Sequence, residues 1–210
     1  MEVLERSLQA VGLFNILAGI PGSLKMWKTG KTAGWPTLFF IIGLCGAVGM
    51  FAYGLLQNNP TLYVLNGLQV LTNTYYVLSF ILLAGLQTDC MIYLTVAATY
   101  LAGLYGAYHS YDSSQLDERL NLIGSSTSAI FFLMNCSTIL EVISAVKAKS
   151  ARFDLTMLMF GMLSNALWIT YGLLLNDLFI YGPALPFVVI GLMKIILMFT
   201  FSSHGKNKDD

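Results

Sequence analysis

A seven-residue stretch occurs twice in this chain, and it constrains the fold more than any other feature. Tyr53-Gly54-Leu55-Leu56-Gln57-Asn58-Asn59 is matched 118 positions later by Tyr171-Gly172-Leu173-Leu174-Leu175-Asn176-Asp177. Each copy follows one long apolar run and precedes another, so the similarity extends beyond the shared tetrapeptide. A match in sequence and in hydropathy on both sides indicates an internal repeat.

The apolar runs are long enough to cross a membrane, because a hydrocarbon core of about 30 Å requires roughly 20 apolar residues in a helix. Only 10% of the residues are charged, 56% are hydrophobic, and the mean hydropathy is +0.69. Lipid-exposed backbone must satisfy its own hydrogen bonds, which favours helices. We predict an all-α integral membrane protein with seven spans, at residues 8–26, 36–56, 61–84, 91–109, 120–146, 155–175 and 178–201.

The repeat also predicts how the spans are arranged. Tight turns at 57–60 and 176–177 make spans 2 and 3, and likewise spans 6 and 7, antiparallel neighbours. Spans 2 and 3 recur as spans 6 and 7, which is a shift of four spans. Because each span reverses the direction of the chain, an even shift means that the two halves cross the membrane in the same direction. The prediction is two parallel three-helix repeats joined by a linker helix (3+1+3), with the first repeat at 1–86, the linker at 87–112, the second repeat at 113–201 and a disordered cytosolic tail at 202–210.

Basic residues are distributed unevenly between the two sides of the predicted membrane. Alternate loops and the C-terminal tail carry most of them, namely Lys25, Lys28, Lys31, Lys147, Lys149, Arg152, Lys206 and Lys208. The opposite side carries only Arg6 and Arg119. Because cytoplasmic loops are enriched in Lys and Arg, the N-terminus is predicted outside and the C-terminus in the cytosol.

The residue inventory argues against several classes of function. A formal net charge of zero gives no support for nucleic-acid binding. The three cysteines stand singly in or beside apolar runs, so neither a disulfide framework nor a metal site is expected. His109 and His204 stand beside no set of Ser, Cys or carboxylate groups that suggests a triad, so we expect no enzyme and no cofactor.

Several motifs, taken in order, resemble those of the SWEET family of sugar transporters. In the first half they are Pro21, Lys28-Thr29-Gly30-Lys31-Thr32, Tyr53-Gly54 and Asn66-Gly67. In the second half they are Lys147-x-Lys149-Ser150, Trp168-x-x-Tyr171-Gly172, Asp177 and Pro186. The resemblance covers nearly the whole chain and agrees with the 3+1+3 arrangement, since parallel repeats are a property of this family.

The resemblance implies facilitated, energy-independent and bidirectional transport of a mono- or disaccharide by alternating access. It implies that Asn66, Trp168 and Ser164 line a central cavity, with Met50 and Ala184 at the positions related to Trp168 and Asn66 by the repeat. An amide both donates and accepts hydrogen bonds, which suits sugar hydroxyls, and an indole offers the sugar ring an apolar face. The implied partners are a sugar and the lipid bilayer, with a plasma-membrane or endomembrane location and assembly as a homo-oligomer.

The chain departs from the family at several positions, one of which is Met50, the repeat partner of Trp168. Ala184 stands where the second half of the family usually has another asparagine. Thr138 and Leu155 stand where that half has hinge prolines, whereas the first half keeps Pro21 and Pro36, which we predict to be hinges on the cytosolic side. These departures bear on the substrate and the transport rate rather than on the fold.

Glu141 lies inside the fifth predicted span and is not explained by the resemblance. An ionised carboxylate at the centre of a helix costs roughly 2.5–3.5 kcal/mol on the insertion scale, and Glu141 lies nearer the cytosolic surface, where the cost is lower. Three roles stay open: it faces a water-filled vestibule, pairs with Lys194 of span 7, or forms a cytosolic gate. Lys194 itself is expected to snorkel to the cytosolic interface.

Two other functions stay open beside a sugar uniporter. One is a proton-coupled transporter of amino acids or another small solute, of the related PQ-loop type, although neither repeat contains a Pro-Gln pair. The other is a non-transporting membrane adaptor that keeps the fold and has lost the pocket, for which Ala184 is the best support. Secondary candidates for the cavity wall are Asn15, Ser23, Asn135 and Ser137.

Overall fold

The computed structural model describes residues 2–112, 114–151 and 153–205 of the chain. Within these ranges all regular structure is helical. The helices are α1 (Glu2–Leu17), α2 (Ile20–Thr29), α3 (Thr37–Leu56), α4 (Pro60–Ala84), α5 (Thr88–Ser110), α6 (Leu116–Ser137), α7 (Ile139–Ala148), α8 (Leu155–Leu174), α9 (Leu178–Tyr181) and α10 (Leu185–Gly205), with a 3₁₀ turn at Gly182–Ala184 between the last two.

Seven spans in the described part of the chain are long and apolar enough to cross a membrane, which confirms the predicted number. They are Glu2–Thr29, Thr37–Leu56, Pro60–Ala84, Thr88–Ser110, Leu116–Ala148, Leu155–Leu174 and Leu178–Phe201. The first begins at Glu2 rather than at residue 8. Helix α10 continues to Gly205, so residues 202–205 of the predicted disordered tail are helical, while 206–210 lie outside the described residues.

The first and fifth spans are each interrupted, within two positions of the same place in the repeat, although we predicted unbroken spans. Helix α2 follows α1 after a short break, with Gly19 as its N-cap residue and Pro21 in its first turn. Pro21 accounts for this break because proline has no N–H to donate to the preceding turn. Helix α7 follows α6 after a break at Thr138, which is not a proline. There the Thr138 hydroxyl donates to the carbonyl of Asn135 at 2.7 Å, a local bond that bends helices.

The two repeated motifs form hairpins with matching backbone geometry. Helices α3 and α8 are each 20 residues long, and each is followed by an asparagine in the left-handed region, Asn58 at φ 53° and Asn176 at φ 54°. The next side chain caps the following helix by accepting from a backbone N–H, at 3.2 Å for Asn59 and 2.9 Å for Asp177. Asparagine tolerates the left-handed region and Asn and Asp are favoured N-caps, so both turns are encoded locally.

The glycine of each motif lets the two helices of its hairpin meet. A Cβ added at Gly54 would lie 2.8 Å from the backbone nitrogen of Tyr63, and one added at Gly172 would lie 2.7 Å from that of Tyr181. Because these neighbours are backbone atoms, neither hairpin can accommodate a side chain there without moving a helix. The same glycine therefore allows the two helices to approach closely in both hairpins.

Packing divides the chain into two compact units. One comprises Gly12–Ile130, and the other comprises the residues up to Val11 together with those from Phe131. These units are defined by contacts, whereas the predicted repeats and linker were defined by sequence, so the repeat boundaries stay a prediction. The core of the first unit is a buried cluster of Met26, Ile41, Val77, Phe80 and Cys90.

Candidate functional site

Asn66, the first predicted sugar contact, is buried on α4. Its exposed fraction is 6%, and its Nδ2 donates to the carbonyl of Leu62 at 2.9 Å. That bond uses one of the two amide N–H groups, and it leaves the second N–H and the amide oxygen uncommitted. Met50, on the neighbouring helix α3, is equally buried. The two predicted sugar contacts in the unit formed by Gly12–Ile130 are therefore buried, and they are the amide of Asn66 and the thioether of Met50.

A second buried asparagine on the same helix was not singled out from the sequence. Asn73 lies two helical turns after Asn66, so the two side chains occupy one face of α4. Asn73 is buried and its Nδ2 has no hydrogen-bond partner; the nitrogen would lie 3.0 Å from a Cβ added at Gly43 of α3. This face of α4 therefore has unused hydrogen-bonding capacity, and the seven-residue spacing was the signal that sequence analysis missed.

Trp168 and Ser164 lie four residues apart on α8, and this spacing places them on one face of that helix. Ser164 is buried, and Trp168 is half-buried. The indole makes a T-shaped contact with Tyr171, with the ring centroids 6.1 Å apart and an interplanar angle of 76°. The contact fixes the orientation of the indole by a favoured aromatic geometry.

Ala184, the repeat partner of Asn66, is buried in the 3₁₀ turn of span 7 and offers no polar side-chain atom. This turn interrupts the α-helix of span 7, and Pro183 contributes to the interruption because it has no backbone N–H. The Nδ2 of Asn135, on α6, donates to the carbonyl of Pro183 at 2.7 Å. The structure thus brings a secondary candidate, Asn135, beside the position where the family usually has an asparagine.

Glu141 and Lys194 form an ion pair between α7 and α10. The Nζ of Lys194 lies 2.9 Å from Oε2 of Glu141, and the two side chains are 7% and 60% exposed respectively. Of the roles left open for Glu141, the structure therefore shows the pairing with Lys194. The expected snorkelling of Lys194 is wrong, because its side chain is buried and its Nζ lies 5.5 Å from the centre of the Phe153 ring. Glu141 also lines an open cleft of about 490 Å³.

The last long helix of each three-helix repeat is bonded to the interrupted helix of the same repeat. In the first repeat the Tyr76 hydroxyl donates to the carbonyl of Ile16 at 3.1 Å, just before the break between α1 and α2. In the second repeat Lys194, 118 positions after Tyr76, donates to Glu141 just after the break between α6 and α7. One bond is neutral and the other is charged, but both join the long helix to a helix break.

The predicted hinge prolines lie at helix starts. Pro21 is in the first turn of α2 and Pro36 is the N-cap residue of α3, and both are exposed. Their role as hinges stays a prediction. The predicted site residues divide between the two units, with Asn66, Met50, Pro21 and Pro36 in the first and Trp168, Ser164, Ala184 and Glu141 in the second.

The chemistry of these groups is that of neutral hydrogen bonding beside apolar surface. Asn66, Asn73, Asn135 and Ser164 offer amide or hydroxyl groups, and Trp168 offers an aromatic face. Among the described residues, no group of three or more His, Cys, Asp or Glu is placed to hold a metal ion. Groups of this kind are suited to binding an uncharged ligand that carries both hydroxyls and apolar C–H surface.

Comparison with known proteins identifies relatives over nearly the whole chain. The model of a family described as "sugar efflux transporter for intercellular exchange" matches residues 7–88 and 118–206. The Sugar transporter SWEET1 of Rattus norvegicus is 24% identical over 203 residues, which cover 96% of this chain and 90% of the rat protein. The Bidirectional sugar transporter SWEET12 of Oryza sativa is 28% identical over 201 residues, which cover 91% of this chain and 65% of the rice protein.

A solved structure shares the fold. It is the 3.7 Å resolution structure of a eukaryotic SWEET transporter, and it matches with a TM-score of 0.79 at 20% sequence identity. The match covers 96% of this chain and 99% of the solved chain. It confirms the predicted all-α fold of seven spans in a 3+1+3 arrangement.

Proposed function

The chain belongs to the family of sugar efflux transporters for intercellular exchange, and from that premise we propose that it carries a mono- or disaccharide across a membrane. The proposed transport is facilitated, energy-independent, bidirectional and by alternating access. The observation that carries the proposal is the match of the family model to two separate segments of the chain rather than to one. The family is one of transporters, and the chain is accordingly not an enzyme.

The proposed sugar contacts are the residues that the family resemblance implies. Asn66 supplies an amide whose oxygen and second N–H are not used by its bond to Leu62, and a sugar hydroxyl can engage both. Trp168 supplies the aromatic surface for the C–H face of the ring, and Ser164 a hydroxyl. Met50 is proposed to supply apolar surface to the sugar from the first repeat.

Asn135 is proposed to supply the amide that Ala184 lacks. Its Nδ2 lies 2.7 Å from the Pro183 carbonyl, and its oxygen is not used by that bond. An amide on α6 in place of one on span 7 changes the direction from which the sugar is bound. This difference accounts for the alanine without requiring loss of transport.

Alternating access is proposed to use the helix breaks. The first and fifth spans each divide into two helical segments, and the short non-helical stretch between them can absorb a change in backbone angles that a continuous helix resists. Pro21 and Pro36 would hinge the cytosolic end of the first repeat. Glu141, held by Lys194 beside the second break, would gate the cytosolic end of the second.

The chain is an integral, multi-pass membrane protein, with seven apolar spans in its described residues. From the distribution of basic residues we infer that the N-terminus is outside and the C-terminus in the cytosol. Three of those basic residues, Arg152, Lys206 and Lys208, lie outside the described residues. A plasma-membrane or endomembrane location and a homo-oligomer are proposed from the family.

The test is uptake of labelled glucose and sucrose into proteoliposomes, with and without a pH gradient. Saturable uptake that does not depend on the gradient is expected for the wild-type protein. Asn66→Ala is expected to abolish uptake while membrane insertion is unchanged, because it removes a buried amide from the sugar site. Asn121→Ala, the same substitution at an exposed position on α6, is the matched control and should transport normally.

The outcomes separate the three candidate functions. Normal uptake by Asn66→Ala refutes the cavity assignment. Uptake that requires a pH gradient and disappears in Glu141→Gln favours a proton-coupled carrier. No flux of any tested solute, together with a protein partner that co-purifies in mild detergent, favours an adaptor.

A further inference from the structure

An open apolar groove lies between α3 and α5 on the unit formed by Gly12–Ile130. Its volume is about 480 Å³, within the range of small-molecule sites. Much of its wall is aliphatic, with Val48, Ala52, Leu55, Leu101, Leu104 and Ile123. None of the proposed sugar contacts lines this groove.

The groove is as long as one leaflet of a bilayer. It extends along α3 from Val48 to Leu56 and along α5 from Leu101 to His109, which is about 12 Å on each helix at 1.5 Å per residue. Half of a hydrocarbon core of about 30 Å is close to this length. Both helices end at the same end of the groove, at Leu56 and Ser110.

Aromatic side chains line that end. Tyr105 and Tyr108 both contact the His109 ring, with centroid distances of 4.3 Å and 5.2 Å, and all three residues line the groove. Tyrosine is typical of the level at which lipid headgroups meet hydrocarbon. The groove therefore has an apolar length and an amphipathic end.

Charges of both signs stand at the same end. The guanidinium of Arg119 lies 4.5 Å over the Tyr108 ring and donates to the carbonyl of Tyr111 at 2.5 Å, while its Nε is buried without a hydrogen-bond partner. Arg119 forms no ion pair with a carboxylate of the described residues, unlike Arg6 and Lys194.

The acidic residues at this end are exposed. They lie on the loop from α5 to α6 and on the first turn of α6, and they are Asp112, Asp117 and Glu118. A phosphate suits a guanidinium that lacks a carboxylate partner. A cationic amine suits exposed carboxylates and aromatic faces.

We propose that this groove binds one zwitterionic phospholipid. An acyl chain fills the aliphatic length, the phosphate faces Arg119, and the choline or ethanolamine faces the carboxylates and the aromatic end. The mixed charge favours a zwitterion over an anionic lipid, because the carboxylates repel a net negative headgroup. It favours a phospholipid over a sterol, because a single hydroxyl cannot engage both signs of charge.

The proposal is tested by native mass spectrometry of the full chain released from detergent with added palmitoyl-oleoyl phosphatidylcholine, phosphatidylglycerol or cholesterol. One phosphatidylcholine per chain should persist at collision energies that strip bulk lipid. Ala52→Phe fills the groove, and Arg119→Gln removes the partner of the phosphate. Arg119→Gln should weaken retention by roughly tenfold, the effect expected for one charge-assisted hydrogen bond. Ala52→Phe should also weaken retention, because the added ring occupies the space of the acyl chain.

Two matched controls separate the groove from general effects. Ala102→Phe makes the same substitution on α5 at an exposed position that does not line the groove. Arg6→Gln removes an exposed cation that is paired with Glu2. Both should retain phosphatidylcholine like the wild type.

Three results would overturn the proposal. Equal or stronger retention of phosphatidylglycerol refutes recognition of a zwitterion. Displacement of the lipid by cholesterol, with no effect of Arg119→Gln, assigns the groove to a sterol. A change of oligomeric state in Ala52→Phe assigns it to a second copy of the chain. If Ala52→Phe does not fold, the proposal is tested by retention of phosphatidylcholine in Arg119→Gln and Arg6→Gln. Equal retention by these two variants refutes it.

Discussion

Removing one partner of the Glu141–Lys194 pair should cost more than removing the other. Lys194 is 7% exposed at its side chain and Glu141 is 60% exposed. Glu141→Ala leaves a buried ammonium without its carboxylate, whereas Lys194→Met leaves an exposed carboxylate that water can solvate and fills the buried volume with an apolar chain. The asymmetry follows from burial alone, because the pair itself is lost in both variants.

The size of the difference can be bounded from the structure. Breaking a buried ion pair from one side costs about 3–5 kcal/mol, and the exposure of Glu141 reduces that figure. Polar contacts between membrane helices average about 0.6 kcal/mol and reach about 1.7 kcal/mol. We expect a loss of about 2 kcal/mol in the free energy of unfolding for Glu141→Ala and less than about 1 kcal/mol for Lys194→Met.

The assay is thermal unfolding in mild detergent at a fixed scan rate. For a chain of this size about 1 kcal/mol corresponds to a change in Tm of roughly 2–4 °C, so Glu141→Ala should lower Tm by about 4–8 °C. Glu118→Ala, at an exposed position on α6, is the matched control and should leave Tm nearly unchanged.

The double variant provides the decisive comparison. Glu141→Ala combined with Lys194→Met removes the stranded charge, so it should be more stable than Glu141→Ala alone. The reasoning is refuted if Lys194→Met is as destabilising as Glu141→Ala. It is refuted equally if the double variant recovers nothing.

Two further predictions concern the repeats. Asn135→Ala should reduce sugar uptake in proteoliposomes several-fold, whereas Asn121→Ala, the same substitution at an exposed position on the same helix, should not; equal activities of the two variants would exclude Asn135 from the site. Gly54→Ala should lower the free energy of unfolding by about 1–3 kcal/mol, the usual cost of overpacking, because its Cβ would meet the backbone of Tyr63. Gly103→Ala, where an added Cβ meets nothing within 4 Å, is the control, and an equal loss of stability in it would contradict this explanation.

The number of spans and the repeat could be predicted because their signals are local. Apolar length and turn residues are read directly from the sequence, and Asn58 and Asn176 adopt the same left-handed conformation in the structure. The break beside Pro21 was detectable in the same way. The break at Thr138 was not, because no proline marks it, and hydroxyl back-bonds also occur inside an unbroken helix at Thr95 and Thr99.

Side-chain burial was harder to predict than backbone structure. Lys194 and Glu141 are 53 positions apart in sequence, and only the packing of α7 against α10 decides that the lysine is buried while its partner is exposed. Asn73 is a different case, since its spacing from Asn66 was visible in the sequence. The placement of Asn135 beside Pro183 required the tertiary structure.

The ion pair of the second repeat has an electrical consequence. Moving one elementary charge through the membrane field requires about 2.3 kcal/mol per 100 mV. Lys194 and Glu141 carry opposite charges 2.9 Å apart, and Tyr76 at the equivalent place in the first repeat is bonded to a neutral carbonyl. A rearrangement that moves the pair together transfers no net charge, so the membrane voltage does no work on it. If the proposed transport uses this rearrangement, we expect the flux of a neutral sugar to be insensitive to the membrane voltage.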